Sequence, residues 1–266
     1  MSERLLLVGC GNMAGAMLAG WLAAGEPPER FAVLDPRLTK VPDGVALYRD
    51  ASAVPGTHDA VMLGFKPHQL SAIAPDLQSI SRAGTTIYSL LAGLTLAQIS
   101  AAFPAASAHV RVMPNLAARI NRSPVILLER GLDESGRAAT FALFDALGTA
   151  VWLDDESRFD LVTALAGSGP GFVYRFIDAL AAAAVELGLE QEQATELATS
   201  MVEGASALAA RADLSPAELA NNVASPGGMT REGLNVLDEG DALKRLLTQT
   251  LDATASRGAQ LSAGAK

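Results

Sequence analysis

Over the first 154 residues, short apolar runs alternate with stretches of helical periodicity. Residues 5–8 and 61–63 are apolar without alternation, the pattern of strands covered on both faces. The same reading gives strands at 4–8, 31–34, 59–63, 85–90, 109–113, 125–128 and 150–153. Helix-periodic segments lie between them at 12–24, 68–79, 95–102 and 133–147. Alternation of this kind predicts an α/β domain, a mostly parallel sheet with helices on both faces. From Asp155 onward no β-branched run of strand length remains. Helices are expected at 169–188, 190–210, 216–222, 226–239 and 241–262, with Gly188 as a C-terminal glycine cap and Pro226 in a first helical turn. The expected organisation is therefore an α/β domain over residues 1–154 followed by an all-α domain over 155–266.

The first strand runs directly into Gly9-Cys10-Gly11-Asn12-Met13-Ala14, which opens the first helix. This is the G-x-G-x-x-A form of the dinucleotide fingerprint and makes the N-terminal domain Rossmann-type. Gly9 permits a tight turn, Gly11 lets backbone approach a pyrophosphate, and Ala14 lets the helix sit close to the strand. Free N–H groups at the helix start, Asn12 and Met13 among them, favour the phosphates. Cys10 reads as a small turn residue. Asp35 ends the second strand, about 20 residues after Ala14, where a carboxylate accepts hydrogen bonds from an adenosine ribose. Arg37, two positions on, offers a partner for a 2′-phosphate, so NADH and NADPH both remain open. The competing reading of Asp35-Pro36-Arg37 is a solvated strand-end turn.

Composition changes this picture in three places. The apolar stretch 5–24 follows Arg4 and has the look of a signal peptide, but Glu3, Asn12 and four glycines interrupt it, as a strand–turn–helix requires. The chain is expected to be cytoplasmic. With 20 Lys and Arg against 29 Asp and Glu, a net charge of −9 and no basic cluster, it is a poor ligand for nucleic acid or an anionic membrane. One cysteine and three scattered histidines (His58, His68, His109) exclude a disulfide framework and point to no metal centre. Half the residues are hydrophobic yet only 5% are aromatic, so alanine, leucine, valine and glycine supply the apolar mass. The small face at Ala181-Ala182-Ala183-Ala184 suits either an internal core helix or a subunit interface.

Three further motifs carry chemistry. Gly64-Phe65-Lys66-Pro67 sits at the C-terminal end of a strand, where sheets of this type bind ligands, and Lys66 is one of four lysines. Arg111-Val112-Met113-Pro114-Asn115 occupies a second such strand end. Ser225-Pro226-Gly227-Gly228-Met229-Thr230 is a loop entering a helix, with glycine N–H groups placed to hold an anion such as a carboxylate.

Together with Ser89–Gly93 and Ala164-Leu165-Ala166-Gly167-Ser168-Gly169-Pro170, and with Asn222-Val223-Ala224 ahead of the loop, these segments resemble pyrroline-5-carboxylate reductase in order and spacing over nearly the whole chain. The resemblance implies hydride transfer from NADPH or NADH to the C=N carbon of 1-pyrroline-5-carboxylate, giving L-proline. It implies an all-α C-terminal dimerisation domain, a homodimer that can assemble further, and an active site completed by a partner's helical loop. It places Thr230 as the hydroxyl that donates to or orients the imine nitrogen. Asn222, Ser225, Gly227, Gly228 and Met229 join it at the substrate, and Lys66, Pro67 and Asn115 lie on the cofactor side. A helix-start hydroxyl capping its own turn is the alternative for Thr230.

The segment after Asn115 departs from the family. Leu116-Ala117 stands where Thr-Pro is usual, and Ile120-Asn121-Arg122 follows where a glycine is expected; Arg119 and Arg122 read as solvated. Two other classes compete with this reading. A β-hydroxyacid dehydrogenase needs a lysine early in the helical domain, and here the only lysines after Lys66 are Lys244 and Lys266. A reductase of a related cyclic imine shares the architecture. A non-catalytic NAD(P)-binding regulator is favoured by the altered 116–122 segment and opposed by the intact 225–230 loop.

Overall fold

The computed structural model describes residues 4–56 and 58–264, with side chains up to residue 260. Its strands are β1 (Leu5–Val8), β2 (Phe31–Leu34), β3 (Ala46–Tyr48), β4 (Ala60–Leu63), β5 (Thr86–Ser89), β6 (Ala108–Met113), β7 (Ser123–Arg130) and β8 (Gly148–Trp152). They form one sheet in the order β3-β2-β1-β4-β5-β6-β7-β8. Every neighbouring pair is parallel except β6 and β7, which pair antiparallel with Met113 opposite Ile126. The strand order reverses between β1 and β4, and ligands bind outside the carboxyl ends of strands at such a switch point.

The first helix, α1 (Asn12–Ala23), covers one face together with α4 (Glu134–Asp145). Trp21 of α1 stacks on Phe31 at 5.4 Å between ring centres, and its Nε1 donates to the Leu143 carbonyl at 2.7 Å. The opposite face is covered by α2 (Leu70–Ile73) and α3 (Leu96–Ala102), where Leu77, Ile99 and Phe103 pack against Leu6, Val61 and Ile87. A long helix over 68–79 does not form. Pro75 has no N–H to give, and the segment breaks into a tight turn at Pro67–Gln69, the single turn α2, and a second tight turn at Ala74–Leu77. The edge strand β3 escaped sequence analysis because it is three residues long and only half-buried.

The chain divides into two compact units, Met1–Ser168 with Thr254–Lys266, and Gly169–Ala253. The sequence pattern changes at 154/155, but the short helix α5 (Phe159–Val162) and the π-turn Thr163–Gly167 belong to the first unit. Phe159, Val162 and Ala166 pack against Leu96, Ile126 and Leu128 of its core.

The second unit holds α6 (Gly169–Glu186), α7 (Gln191–Ala209), α8 (Pro216–Val223), α9 (Met229–Asp238) and the start of α10 (Ala242–Gly264). Gly188, at φ 110°, ends α6 as a glycine cap. The core shared by α6 and α7 is built on Ala181, Ala194 and Ala198. Larger side chains face outward: Tyr174 and Phe176 on α6, Leu197 and Met201 on α7, Leu246 and Leu247 on α10 are all exposed. Apolar surface on this scale marks an interaction face. Among the described residues no helix is long and apolar enough to cross a membrane.

Candidate active site

The switch point is built from glycine backbone. Gly9 follows β1 at φ +80°, and a Cβ there would stand 3.0 Å from the Phe65 nitrogen and 3.1 Å from the Gly64 carbonyl carbon. A Cβ on Gly64 would collide with the Gly9 carbonyl oxygen and reach 3.1 Å from Ala14 Cβ. The two strand ends therefore approach this closely because both positions are glycine, and Ala14 beneath them is buried. Sequence analysis included Gly64 in a strand-end motif but took only Lys66 and Pro67 from it as site residues; the place of Gly64 directly after a buried strand was the available signal.

Gly11 is different. Its φ of −70° suits any residue, and no protein atom lies within 4 Å of the Cβ it lacks. Nothing among the described residues requires glycine there, and the space a side chain would take is open. Gly11 is also the N-cap of α1, with no side-chain cap and no acidic residue in the first turn, so the positive helix end is left for an anion. A cleft of about 750 Å3 opens over it, lined by the 9–13 turn, Asp35, Arg37, Lys66, Pro67, Leu90, Ala92 and Leu116 among others. This cradle, with open backbone N–H groups at a switch point, fits a dinucleotide.

Asp35 is half-buried at the end of β2. Its Oδ2 accepts from the Cys10 N–H at 3.0 Å and its Oδ1 from the Arg37 N–H at 2.9 Å. Burial, with the Asp35 charge beside it, pushes the Cys10 thiol up to about 11, so it stays protonated and unreactive. Arg37 and Lys66 are exposed at the rim of the cleft. The Lys66 N–H donates to Gln69 Oε1, which starts the turn at Pro67.

The Arg111–Asn115 motif has a packing rationale that sequence analysis lacked. Arg111 is 4% exposed, lies 3.6 Å over the Phe159 ring, and donates to Glu156 Oε1 at 2.9 Å. The same oxygen accepts the Leu96 N–H at 2.7 Å, at the start of α3. Burial pulls the guanidinium pKa down, and Glu156 and Asp160 pull it back up.

Asn115 is buried, and its side chain is engaged inside the protein. Nδ2 donates to the Ala166 carbonyl at 2.9 Å and Oδ1 accepts from the Ala117 N–H at 2.9 Å. Expected beside the cofactor, Asn115 has its carboxamide bonded within the protein, and the neighbouring Leu116 lines the cleft. The unusual residues after it fold into a tight turn, Leu116–Ile120, followed by Asn121 in the left-handed region at φ 55°. Asn121 Nδ2 donates to the carbonyls of Gly20 at 2.9 Å and Ala146 at 2.6 Å, which closes the ends of α1 and α4.

In the second unit, α8 starts with a capping box, Ser215 and Glu218 bonding reciprocally, with Pro216 in its first turn. The chain then turns through residues 224–228 before α9. Gly227 has φ +70°, the Gly228 N–H donates to the Ser225 carbonyl at 2.9 Å, and a Cβ on Gly228 would run into Ser225 Oγ. Helix α9 begins at Met229, so Pro226 lies in the turn and not in the helix as expected. Gly228 is the N-cap, without a side-chain cap. Thr230 follows as the second helical residue and is exposed; the capping position is not its own. Asn222 is exposed on α8, and Arg231 Nη2 donates to Asn221 Oδ1 at 2.9 Å, tying α8 to α9 across the turn.

The profile for pyrroline-5-carboxylate reductase dimerisation matches residues 156–261. Pyrroline-5-carboxylate reductase 2 of Bacillus subtilis is 32% identical over 97% of this chain and 95% of its own. The chain belongs to the pyrroline-5-carboxylate reductase family. A solved pyrroline-5-carboxylate reductase from Coxiella burnetii, 30% identical, superposes with a TM-score of 0.91 over 98% of this chain and 99% of that one. A pyrroline carboxylate reductase of Plasmodium falciparum, solved with NADP bound, shares the fold at 22% identity, with a TM-score of 0.85 over 98% of both chains. The helical region of a family named for its dimerisation accounts for the apolar residues that the second unit leaves exposed.

Proposed function

We propose that this chain reduces 1-pyrroline-5-carboxylate to L-proline with NADH or NADPH, the last step of proline synthesis. The observation that carries this reading is the Gly9–Gly64 contact beneath an open Gly11, an anion cradle at the switch point, in a chain of this family. Bound there, the reduced nicotinamide supplies the hydride.

The protein's part is alignment. The α1 N-terminus and the 9–14 backbone hold the pyrophosphate, while Lys66 and Pro67 border the cleft. The backbone N–H groups of Gly227, Gly228 and Met229, at the positive end of α9, hold the substrate carboxylate, and Asn222 and Ser225 shape the turn. The imine enters protonated on nitrogen, so no strong general acid is needed; the Thr230 hydroxyl orients that nitrogen as its neighbouring carbon receives hydride. In this reading residues 1–154 bind the cofactor and 155–266 dimerise and bind substrate, and the homodimer works in the cytoplasm. Thr230→Ala should lower kcat far more than it weakens nucleotide binding. Equal losses in both would make Thr230 structural.

A further inference from the structure

Asp35 stands where the adenosine end of a dinucleotide lies in sheets of this type. Its carboxylate is fixed from two directions, by the Cys10 N–H of the glycine turn at 3.0 Å and by the Arg37 N–H at 2.9 Å. A carboxylate offers about four lone-pair sites. Each oxygen has one engaged, so each keeps acceptor capacity for one hydroxyl of a vicinal diol.

Beside it, a cavity of about 250 Å3 shares Gly9, Asp35, Arg37, Phe65 and Gln69 with the larger cleft. The charged groups around this cavity are Asp35, Asp50 and Asp76 against Arg37 and Arg49. Asp50 accepts from the Ser52 N–H at 2.8 Å and from its hydroxyl, which holds its carboxyl below the usual range and keeps it ionised. Both arginines are exposed, and neither forms an ion pair among the described residues. The two charges that hydrogen bonds hold in place here, Asp35 and Asp50, are both negative.

We propose that Asp35 makes this chain select NADH over NADPH. The proposal rests on the reading of the chain as a nicotinamide-dependent reductase. The ribose of NADH presents two hydroxyl donors to a carboxylate already oriented to accept them. A 2′-phosphate removes one donor and sets a charge of about −2 against a fixed carboxylate. To compensate, Arg37 or Arg49 would have to leave solvent and lose the rotamer freedom of a long side chain.

Calorimetric titration of the full-length protein with NADH and with NADPH, without imine substrate, tests this. NADH should bind about tenfold more tightly or better. Adenosine 5′-monophosphate should likewise bind more tightly than adenosine 2′,5′-bisphosphate, which differs from it only by the 2′-phosphate. Asp35→Asn keeps an acceptor oxygen and removes the charge, and should bring the two cofactors to within about threefold. Arg37→Ala combined with Arg49→Ala should leave the NADH preference in place. NADPH binding as tightly as NADH to the unaltered protein overturns the proposal alone, as does an Asp35→Asn variant that binds both with an unchanged ratio. Should that variant fail to fold, the two pairs of titrations on the unaltered protein still decide. Neither cofactor binding overturns the reductase reading itself.

Discussion

The Asn115 carboxamide donates to the Ala166 carbonyl at 2.9 Å, fastening the end of β6 to the π-turn that closes the first unit. Its oxygen accepts the Ala117 N–H that starts the turn beside the cleft. Both ends of one buried amide are engaged, so Asn115→Ala strands an N–H and a carbonyl away from water. The expected cost is about 2 kcal/mol in urea unfolding. Asn115→Asp keeps the acceptor but sets a buried carboxylate against the Ala166 oxygen, and should cost more than the alanine.

Gly11 and Gly64 separate the demands of a ligand from those of the fold. Gly11→Ala meets no protein atom at an ordinary φ, so its thermal stability should be unchanged or slightly raised while nucleotide affinity falls about tenfold or more. Gly64→Ala drives a methyl into the Gly9 carbonyl, so it should lose stability and affinity together. Calorimetry and nucleotide titration on both variants check the contrast; a Gly11→Ala protein that binds normally contradicts the assignment of the cradle.

These cases also show how much the sequence discloses. Gly9, Gly11, Ala14 and Asp35 were legible because each acts through local turn chemistry with a fixed spacing. Asn115 and Arg111 were not, because their partners Ala166 and Glu156 lie 51 and 45 residues away and no local pattern announces them. The strand β3 and the broken helix around Pro75 failed for a different reason: elements this short are set by tertiary packing more than by periodicity. The Ser225–Thr230 turn was legible as a glycine-bearing loop entering a helix, but the start of that helix was placed three residues early, since Pro226 suits a turn as well as a first helical residue.

Arg111 and Glu156 should behave as a coupled pair. Arg111→Met removes a buried cation from under Phe159 and leaves Glu156 holding only the Leu96 N–H. We expect a loss of about 3 kcal/mol. Adding Glu156→Gln removes the uncompensated charge and should recover about half of that loss. A double-mutant cycle in urea measures the coupling, and strict additivity would show that the pair contributes no specific stability.

Cys10 gives a pH prediction. With its thiol pushed up to about 11, roughly one molecule in a thousand carries thiolate at pH 8, against about one in ten for a cysteine that titrates at 9. Alkylation by iodoacetamide should be correspondingly slow in the folded protein and fast after unfolding. The unfolded chain ionises Cys10 near pH 9 while the folded chain keeps its proton until about 11. Cys10 therefore subtracts stability as pH rises through that window, and Cys10→Ala should flatten that fall in urea unfolding.

The central claim is that a hydride passes from bound nicotinamide to the C=N carbon of 1-pyrroline-5-carboxylate. The most direct measurement supplies cofactor carrying deuterium at the transferring face of the nicotinamide ring and analyses the product by mass spectrometry. The account predicts L-proline with one deuterium at the carbon next to nitrogen, formed in step with cofactor oxidation. Unlabelled proline from cofactor deuterated at either face, or no proline with NADH or NADPH, would contradict it.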